Sequence, residues 1–229
     1  MLFVDILVVL SGERSALLYM FMSTFLIAIL ISKWKIYRIT AFILSILISF
    51  IIISTNENIK ERVVTKTIDQ TNLFGEKMNA FSVQHQVIYT TSLKIFKDYP
   101  FFGIGPKNFR EKCKETKYKT YSKLDQSIDG CQAHPHNTYI QLLVETGIFG
   151  FISVFILFIY LNYLLIRQFY YMIFKRQYII NDLQVCMIVA TYINLWPLVP
   201  TGNFFGSWLC IIYFLPLGFI LEKLNNINN

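Results

Sequence analysis

Long apolar blocks without charge alternate with short polar segments along this chain, and the pattern predicts membrane-spanning helices. Five blocks of 17–20 residues carry no charged side chain: residues 15–32, 39–55, 147–166, 183–199 and 204–221. That length crosses a hydrocarbon layer about 30 Å thick as an α-helix. A sixth block, residues 1–10, is apolar but short and contains Asp5. We therefore expect an all-α, polytopic transmembrane helix bundle with six spans, the first of them truncated.

Basic residues in the short connections orient the spans, because such residues stay on the cytoplasmic side. Three basic clusters fall in short connections or after the last block: Lys33, Lys35 and Arg38; Arg167, Lys175 and Arg176; and Lys223. With all three in the cytoplasm, spans 1–3 occupy residues 1–55 and spans 4–6 occupy residues 139–229. Residues 56–138 then form one large outer loop, and both termini lie in the cytoplasm.

The composition agrees with a membrane protein. Of 229 residues, 55% are hydrophobic and 15% are charged, whereas ordinary soluble domains have about 25% charged residues. This balance excludes a disordered protein or a nucleic-acid-binding tail and makes the lipid bilayer the expected partner. The outer loop is the one large polar region, and apolar residues at helical spacing before Pro100 predict a helix over residues 77–99.

The four cysteines divide by their surroundings. Cys186 and Cys210 lie within predicted spans, where a thiol behaves as a small apolar group. Cys113 and Cys131 lie 18 positions apart in the outer loop, in a compartment that permits disulfides. A disulfide is the favoured interpretation. A metal site is the alternative, because two nearby histidines could complete a ligand set with these cysteines.

The first segment with candidate chemistry is His-Pro-His-Asn at residues 134–137, where the outer loop meets the fourth span. The pattern after it is helical, so Asn137, Gln141 and Glu145 are expected on one helix face. A histidine at the membrane boundary beside a carboxylate can act as general base for a hydroxyl. The alternative is that His136 only caps or anchors the helix.

The second segment is Ser-Gly-Glu-Arg at residues 11–14, which the topology places at a tight turn on the outer side. An arginine at the membrane surface can bind phosphate through two parallel hydrogen bonds. The alternative for Arg14 is an anchor whose charged end reaches the interface, as single arginines near span ends often do.

The third segment, residues 100–110, reads Pro-Phe-Phe-Gly-Ile-Gly-Pro-Lys-Asn-Phe-Arg. Its glycines permit a special turn or a close backbone approach, and Lys107 and Arg110 supply positive charge. A purely structural turn also accounts for the glycines. Residues 196–205 interrupt the last two spans with prolines and a glycine, and their backbone is tolerable at membrane depth only if protein or water covers it.

Motifs for nucleotide or metal chemistry are absent from the sequence. There is no phosphate-binding Walker loop, no His-Glu-x-x-His pair and no serine nucleophile elbow. The expected chemistry relies on histidine, arginine and lysine, with no cofactor.

Together, the order and spacing of three segments resemble the O-antigen ligase and O-antigen polymerase superfamily of bacterial envelope glycosyltransferases. The segments are residues 11–17, 100–109 and 136–150, and the resemblance extends over most of the chain. It implies a multi-pass protein of the bacterial inner membrane with a large periplasmic loop between two late spans. It also implies transfer of a glycan from an undecaprenyl-diphosphate carrier to a hydroxyl of lipid A core or of another glycan, without metal or nucleotide.

The resemblance also assigns roles to individual residues. His136 corresponds to the base that deprotonates the acceptor hydroxyl. Glu145, expected beside it from the helical pattern alone, is the second candidate catalytic residue. Arg14 corresponds to the residue that binds the lipid-linked diphosphate and stabilises it as it leaves. Lys107 and Arg110 are expected to be secondary anion contacts.

Other positions belong to the expected substrate-binding set. Asn137 and His134 flank the base. His85 occupies a position where members often carry an arginine. We expect this departure either to weaken carrier binding or to move the role of that arginine to Arg62 or Lys77. The chain also begins partway into the family pattern, so we expect a C-terminal portion of a longer protein.

Alternatives to the ligase reaction remain open at this point. O-antigen polymerisation and glycan transfer to protein would use the same motifs. A non-enzymatic polysaccharide transporter would require charged or polar residues facing each other inside the spans, and the five long blocks carry no charged residue. An inactive truncated fragment is the last alternative.

Overall fold

A computed structural model describes residues 2–71, 81–122 and 127–225, with side chains described as far as residue 220. Within these ranges the chain is helical, and the only extended pairing is an isolated bridge between Tyr121 and Asp129. The predicted all-α class is therefore confirmed for the described residues. Lys77, one of the positions predicted to share carrier binding, lies outside them.

Ten α-helices occur in the described part of the chain. They are α1 (Leu2–Ser11), α2 (Arg14–Leu30), α3 (Lys35–Thr55), α4 (Glu57–Lys60), α5 (Lys66–Thr71), α6 (Val83–Asp98), α7 (Phe109–Lys112), α8 (Thr138–Tyr170), α9 (Asp182–Asn194) and α10 (Ser207–Asn225). Two π-helical turns, Glu61–Thr65 and Tyr171–Lys175, precede α5 and follow α8.

Two of the described helices are long and apolar enough to cross a membrane, by length and composition. They are α3 and the helical stretch Thr138–Lys175, which is kinked at Gly147. Only 11% and 28% of their most apolar stretches are buried inside the molecule, whereas the core helix of a soluble protein is mostly buried. The helices α1 and α2 and the described apolar part of α10 are shorter, so the six-span topology stays a prediction.

Some helix boundaries differ from the predicted ones for local reasons. The helix α9 ends at Asn194, short of the predicted residue 199, because Pro197 lacks an N–H and disfavours helical backbone in the residue before it. The helix α8 begins at Thr138, and Gly147, the predicted first residue of the fourth span, is instead a kink inside it. The outer-loop helix α6 begins after the N-cap Ser82; the first residues of its predicted range lie outside the described ones.

The chain forms two compact units. Unit 1 comprises Met1–Asp69, Tyr160–Asn194 and Tyr213–Asn229, and unit 2 comprises Gln70–Ile159 and Leu195–Ile212. The predicted domain borders at residues 55 and 138 follow membrane boundaries, so they stay a prediction. Unit 2 combines much of the predicted outer loop with the first half of α8 and the connection between α9 and α10.

In unit 1, α2 packs against α3 and α9, and α1 packs against α3. A polar cap joins α2 to α9: the Asp182 carboxylate accepts hydrogen bonds from the N–H and the hydroxyl of Ser32, both at 2.8 Å. Gln168, which is 1% exposed, donates to Leu30 O and accepts from Ile180 N. These bonds satisfy backbone groups where α2 ends, so buried polarity does not oppose the packing.

The core of unit 2 lies between α6, α7 and the first turns of α8. Its buried side chains are Ile88, Tyr89, Ile95, Phe109, Cys113, Tyr118 and Val144. Phe109 and Ile95 are both 0% exposed, so the short helix α7 is fixed against α6 by apolar burial. This core supports the loop that carries His134 and His136.

Candidate functional site

A break in α8 is filled by the backbone of the Pro100–Gly105 segment. Gly147 has φ 69° and ψ −166°, which interrupts the helix. In an unbroken helix Ile148 N would donate to Val144 O. Here Ile148 N donates to Pro100 O at 2.8 Å, and Val144 O accepts from Ile104 N at 3.0 Å. The two backbone groups of α8 that the kink leaves without helical partners therefore bond to the Pro100–Gly105 segment instead. We call this contact between the Gly147 kink and the Pro100–Gly105 segment the glycine interlock.

Glycines are required where the two backbones of the interlock approach each other. A Cβ atom on Gly103 would lie 2.5 Å from the backbone carbon of Glu145, and one on Gly147 would overlap the backbone of Phe101. Both glycines also have positive φ angles, which side-chain-bearing residues rarely adopt. Gly105 N donates to Glu145 O at 2.9 Å and completes the contact. The structural interpretation of the glycines in segment 100–110 thus has direct support.

Glu145 lies directly at this interlock and is fully buried. Its Oε1 accepts a hydrogen bond from Phe109 N at 3.2 Å, and its Oε2 accepts one from Gln141 Nε2 at 3.0 Å. The predicted shared face of Gln141 and Glu145 is confirmed by that second bond. These contacts join the carboxylate to α7 and α8, whereas the prediction made it the companion of His136.

Asn137 is the N-cap of α8. Its Oδ1 accepts from Tyr139 N at 3.0 Å and Ile140 N at 3.1 Å, which satisfies two amides at the helix start. Its Nδ2 donates to Pro197 O at 2.8 Å. One side chain therefore both starts the helix and binds the connection between α9 and α10.

That connection packs along the start of α8 through several further hydrogen bonds. Thr201 N donates to His136 O at 2.9 Å, Gln141 Nε2 donates to Asn203 Oδ1 at 2.7 Å, and Phe204 N donates to Gln141 Oε1 at 2.9 Å. The predicted need for protein to cover the backbone of residues 196–205 is met by these bonds. No local pattern marked Asn203 or Thr201 as partners of the histidine segment, because the pairing spans about sixty residues.

All three histidines of the chain meet in unit 2. The ring centroids of His134 and His136 are 4.1 Å apart, and those of His85 and His136 are 6.1 Å apart with perpendicular planes. His85 comes from α6, where its Nδ1 lies 2.6 Å from Ser82 Oγ. We call these three residues the histidine cluster. The sequence suggested that they belong to one binding site, and the structure brings them together.

The backbone of His136 adopts a left-handed conformation, with φ 56°. Histidine tolerates this region better than most residues with side chains, but strained backbone persists only where neighbouring structure enforces it. Here the carbonyl of His136 is bound by Thr201 N, and the next residue is the Asn137 cap. The backbone that carries the imidazole is thus fixed by contacts on the C-terminal side of the His136 Cα atom.

The environment of His134 and His136 favours their neutral forms. Burial lowers the pKa of His136. Burial also lowers the pKa of His134, and the neighbouring charge of His136 lowers it further. Burial raises the pKa of Tyr89 to about 12, against a smaller opposing effect of the Asn137 side chain. A neutral imidazole at neutral pH is able to accept a proton.

Arg14 lies in unit 1, at the first residue of α2. Its side chain is exposed, and its Nη1 donates to Thr67 Oγ1 at 3.4 Å. The preceding Gly12 has φ +67°, and a Cβ atom there would lie 3.1 Å from Arg62 Cδ. The Arg62 side chain thus lies beside the turn that precedes Arg14. We call Gly12, Arg14 and Arg62 together the arginine turn.

Lys107 and Arg110 are both exposed, just before and within α7. No hydrogen bond or ring contact of the described residues joins either of them to the histidine cluster. Lys107 has a positive φ of 63° in the turn that leads into α7. They remain surface cations of unit 2, available to anions from outside.

The sulfur atoms of Cys113 and Cys131 lie within bonding distance, and their Cα atoms are 5.2 Å apart. That separation falls in the range of disulfides, about 4.4–6.8 Å. This geometry favours the disulfide over the alternative set of two cysteines with two histidines. Among the residues that the structure describes, no group of three or more His, Cys, Asp or Glu side chains is arranged to hold a metal ion.

Comparisons with known proteins identify a family. A family model described as O-antigen ligase matches residues 1–156. This range includes every candidate residue of the arginine turn and the histidine cluster, but not the connection after α9. No curated protein and no solved structure matches the chain.

Proposed function

This chain belongs to the O-antigen ligase family, and we propose that it transfers a glycan from an undecaprenyl-diphosphate carrier to an acceptor hydroxyl. The family consists of inner-membrane, glycosyltransferase-like proteins of the ligase and polymerase group, which handle lipid-linked glycans. We further propose that the reaction takes place on the periplasmic face. Lipid A core is the proposed acceptor class, and a growing glycan is the acceptor in the polymerase alternative.

The observation that carries this proposal is the placement of His136. Its ring is half-buried, its pKa is lowered by burial, and its backbone is fixed by Thr201 N. In the proposed reaction His136 takes the proton from the acceptor hydroxyl as its oxygen attacks the anomeric carbon of the donor sugar. The bond from that carbon to the carrier breaks, and undecaprenyl diphosphate leaves as an anion.

The arginine turn suits the leaving group. Arg14 and Arg62 are exposed cations beside the N-terminus of α2, and guanidinium groups bind phosphate oxygens through paired hydrogen bonds. In this proposal Arg14 binds the diphosphate and Arg62 assists it, which supplies the charge that His85 lacks. Lys107 and Arg110 are the proposed secondary anion contacts.

Glu145 and Asn137 act as positioning residues in this proposal. The Glu145 carboxylate binds Phe109 N and Gln141 and so joins the glycine interlock to α7. Asn137 fixes the first turn of α8 directly after His136. Both residues therefore support catalysis through the geometry of the histidine segment.

The proposed topology has six spans, residues 56–138 in the periplasm and both termini in the cytoplasm. Its support is the two long apolar helices, the basic residues of the short connections, and the paired Cys113 and Cys131. A disulfide would form readily in the oxidising periplasm.

Replacement of His136 tests the proposed function. His136→Asn suits the left-handed backbone but removes the base, so transfer in reconstituted full-length protein should fall by about 10²–10⁴-fold. The melting temperature in detergent should stay close to wild type. Transfer within a few-fold of wild type would exclude His136 as the base.

A second variant at His136 separates the effect of its left-handed backbone from the loss of its imidazole. His136→Gly tolerates the same φ angle and also lacks the imidazole, so it should be as inactive as His136→Asn. Added imidazole should restore part of the activity in the glycine variant, because the vacated volume admits it. Restoration in the glycine variant alone would identify the lost group as an imidazole base.

A further inference from the structure

Buried polar atoms that lack a partner occur beside the histidine cluster. In the described residues of unit 2, three buried side-chain atoms have no hydrogen-bond partner of normal geometry: Tyr89 Oη, Thr91 Oγ1 and His134 Nε2. Native structures pair the large majority of such atoms, since an unpaired one costs free energy. The unpaired atoms therefore indicate where a further polar group binds.

Two of these three residues, His134 and Tyr89, belong to the surroundings of the histidine cluster. The rings of His134 and His136 are tilted by 43°, with centroids 4.1 Å apart. Tyr89 lies one helical turn after His85 on α6, with ring centroids 6.0 Å apart, and His85 in turn lies 6.1 Å from His136. Thr91 instead lies against Gly130, where an added Cβ atom would overlap its hydroxyl.

Tyr89 is held rigidly in the core of unit 2. Its residue is 8% exposed, and Phe81 packs edge-on against its ring at 5.0 Å. Ring packing therefore fixes the position of the hydroxyl. The Asn137 side chain is near enough to act on the Tyr89 pKa, but no described residue makes a hydrogen bond of normal geometry with this hydroxyl. This is the arrangement of a preorganised ligand contact.

The charge state of these groups selects the ligand. Burial keeps Tyr89 protonated, with a pKa of about 12, and lowers the pKa of His134. Both groups are therefore neutral near pH 7, whereas the arginine turn is cationic. Neutral donors and acceptors match sugar hydroxyls, and cations match phosphate oxygens.

We propose that Tyr89 Oη and His134 Nε2 bind hydroxyl groups of the acceptor sugar and hold the attacking hydroxyl against His136. The ligand is a neutral, polyhydroxylated sugar ring, and the site lies beside the base. This proposal rests on the proposed function and adds the residues that select the acceptor.

Tyr89→Phe removes only the hydroxyl and keeps the ring against Phe81. In reconstituted full-length protein, with lipid A core purified from the producing organism as the varied acceptor, KM for the acceptor should rise by about tenfold, which corresponds to ~1.4 kcal/mol. Changes in kcat and in KM for the lipid-linked donor should stay within about twofold. The melting temperature should stay close to wild type, because the hydroxyl makes no hydrogen bond of normal geometry that the variant would lose.

Tyr118→Phe is the matched control. Tyr118 is buried in the same core, but its hydroxyl donates to Asp98 Oδ2 at 2.6 Å. Its loss should lower the melting temperature and leave KM for the acceptor unchanged. A second pair tests His134: His134→Phe should raise the acceptor KM, and His134→Gln, whose amide can replace Nε2, should recover part of it.

The outcomes separate this proposal from the proposed function. Suppose that wild type transfers glycan and His136→Asn does not, but that Tyr89→Phe and His134→Phe both keep the wild-type KM for the acceptor. Ordered water alone would then bind the two polar atoms, and the proposed acceptor site would be overturned. If His136→Asn transfers glycan normally, the proposed function fails and this proposal fails with it. A selective rise in acceptor KM with unchanged stability supports the proposal.

Discussion

The arginine turn and the histidine cluster differ in how firmly the protein holds them. Arg14 is exposed, and its guanidinium makes a long hydrogen bond, 3.4 Å to Thr67. His136 is half-buried, its backbone is strained, and the connection between α9 and α10 binds both its own carbonyl and the next residue, Asn137. The first region offers charge, whereas the second offers fixed geometry.

This difference matches two chemical tasks. A diphosphate is attracted by charge over several ångströms and tolerates adjustment of a flexible guanidinium. Proton transfer from a hydroxyl requires heavy atoms within about 2.6–3.2 Å. Changes to distant packing should therefore impair the histidine cluster and spare the arginine turn, while changes of charge should do the opposite.

The largest effect is expected from Gly147→Ala. The new Cβ atom would overlap the backbone of Phe101 at a positive φ angle, and backbone strain together with overpacking costs about 2–6 kcal/mol. Thermal unfolding in detergent should show a large loss of stability, and any folded remainder should have reduced kcat.

Gly218→Ala is the control for this prediction. Gly218 is in α10, and an added Cβ atom there would meet nothing within 4 Å. Alanine also favours helix over glycine by about 1 kcal/mol, so stability should stay the same or rise. Equal melting temperatures for the two alanine variants would contradict the glycine interlock.

The second effect concerns Cys113 and Cys131, whose disulfide would close the loop before the histidines. The double variant Cys113→Ser with Cys131→Ser should lose about 3 kcal/mol of unfolding free energy in the chain-entropy model. It should lower kcat more than binding of undecaprenyl diphosphate, since the arginine turn belongs to unit 1.

Thiol labelling checks the pairing itself. After denaturation without reductant, maleimide should label Cys186 and Cys210, which are free in the structure. It should leave Cys113 and Cys131 unlabelled until reductant is added. Labelling of all four cysteines before reduction would show that the loop is not closed by a disulfide.

The third effect concerns the arginine turn, where charge and not fixed geometry is expected to matter. Arg14→Lys keeps the charge but loses the planar fork, so kcat/KM should fall by about 10–100-fold, equal to ~1.4–2.8 kcal/mol. The melting temperature should be unchanged because the side chain is exposed. Arg110→Lys is the matched control, with an expected loss of only a few-fold; an equal loss in both variants would remove the special role of Arg14.

The smallest effect is in the pH dependence. Burial disfavours the protonated form of His136 and lowers its pKa, so the neutral base should persist below the ordinary histidine pKa of about 6.5. The pH profile of kcat/KM should therefore rise to a plateau with its lower midpoint below that value. A midpoint above about 6.5 would contradict a base whose pKa is lowered.

The same shift affects stability. The unfolded chain binds a proton at the histidines more readily than the folded one, so the free energy of unfolding should fall as pH drops below about 6.5 toward the lowered folded pKa. His136→Asn should remove the share of this dependence that comes from His136. The measurement is chemical unfolding at several pH values above and below that point.

Much of the fold was predictable from local patterns. The uncharged apolar blocks located α2, α3, most of α8 and α10, because a helix in lipid requires a continuous apolar run. The helix α6 ends before Pro100 as the proline predicts. The predicted end of α9 was wrong, since the apolar run continues past the point where Pro197 stops the helix.

The candidate site was predictable only in part. The residue types in the histidine segment and at Arg14 indicated acid–base and anion chemistry, and the family match supports that class of reaction. Tyr89 was not singled out, because a tyrosine on an amphipathic helix has the sequence signal of a core residue. Only its unpartnered hydroxyl beside the histidines distinguishes it.

The sequence by itself determined the helical class, the membrane character and the residue types that carry charge or accept protons, because these follow from composition and local spacing. The tertiary structure decided which groups meet. Backbone hydrogen bonds join the Gly147 kink to the Pro100–Gly105 segment. Other hydrogen bonds join the left-handed His136 and the buried Gln141 to the connection between α9 and α10. In each case the partners are far apart in the sequence. Such pairings depend on packing and on the need to satisfy buried polar groups, which no local pattern encodes.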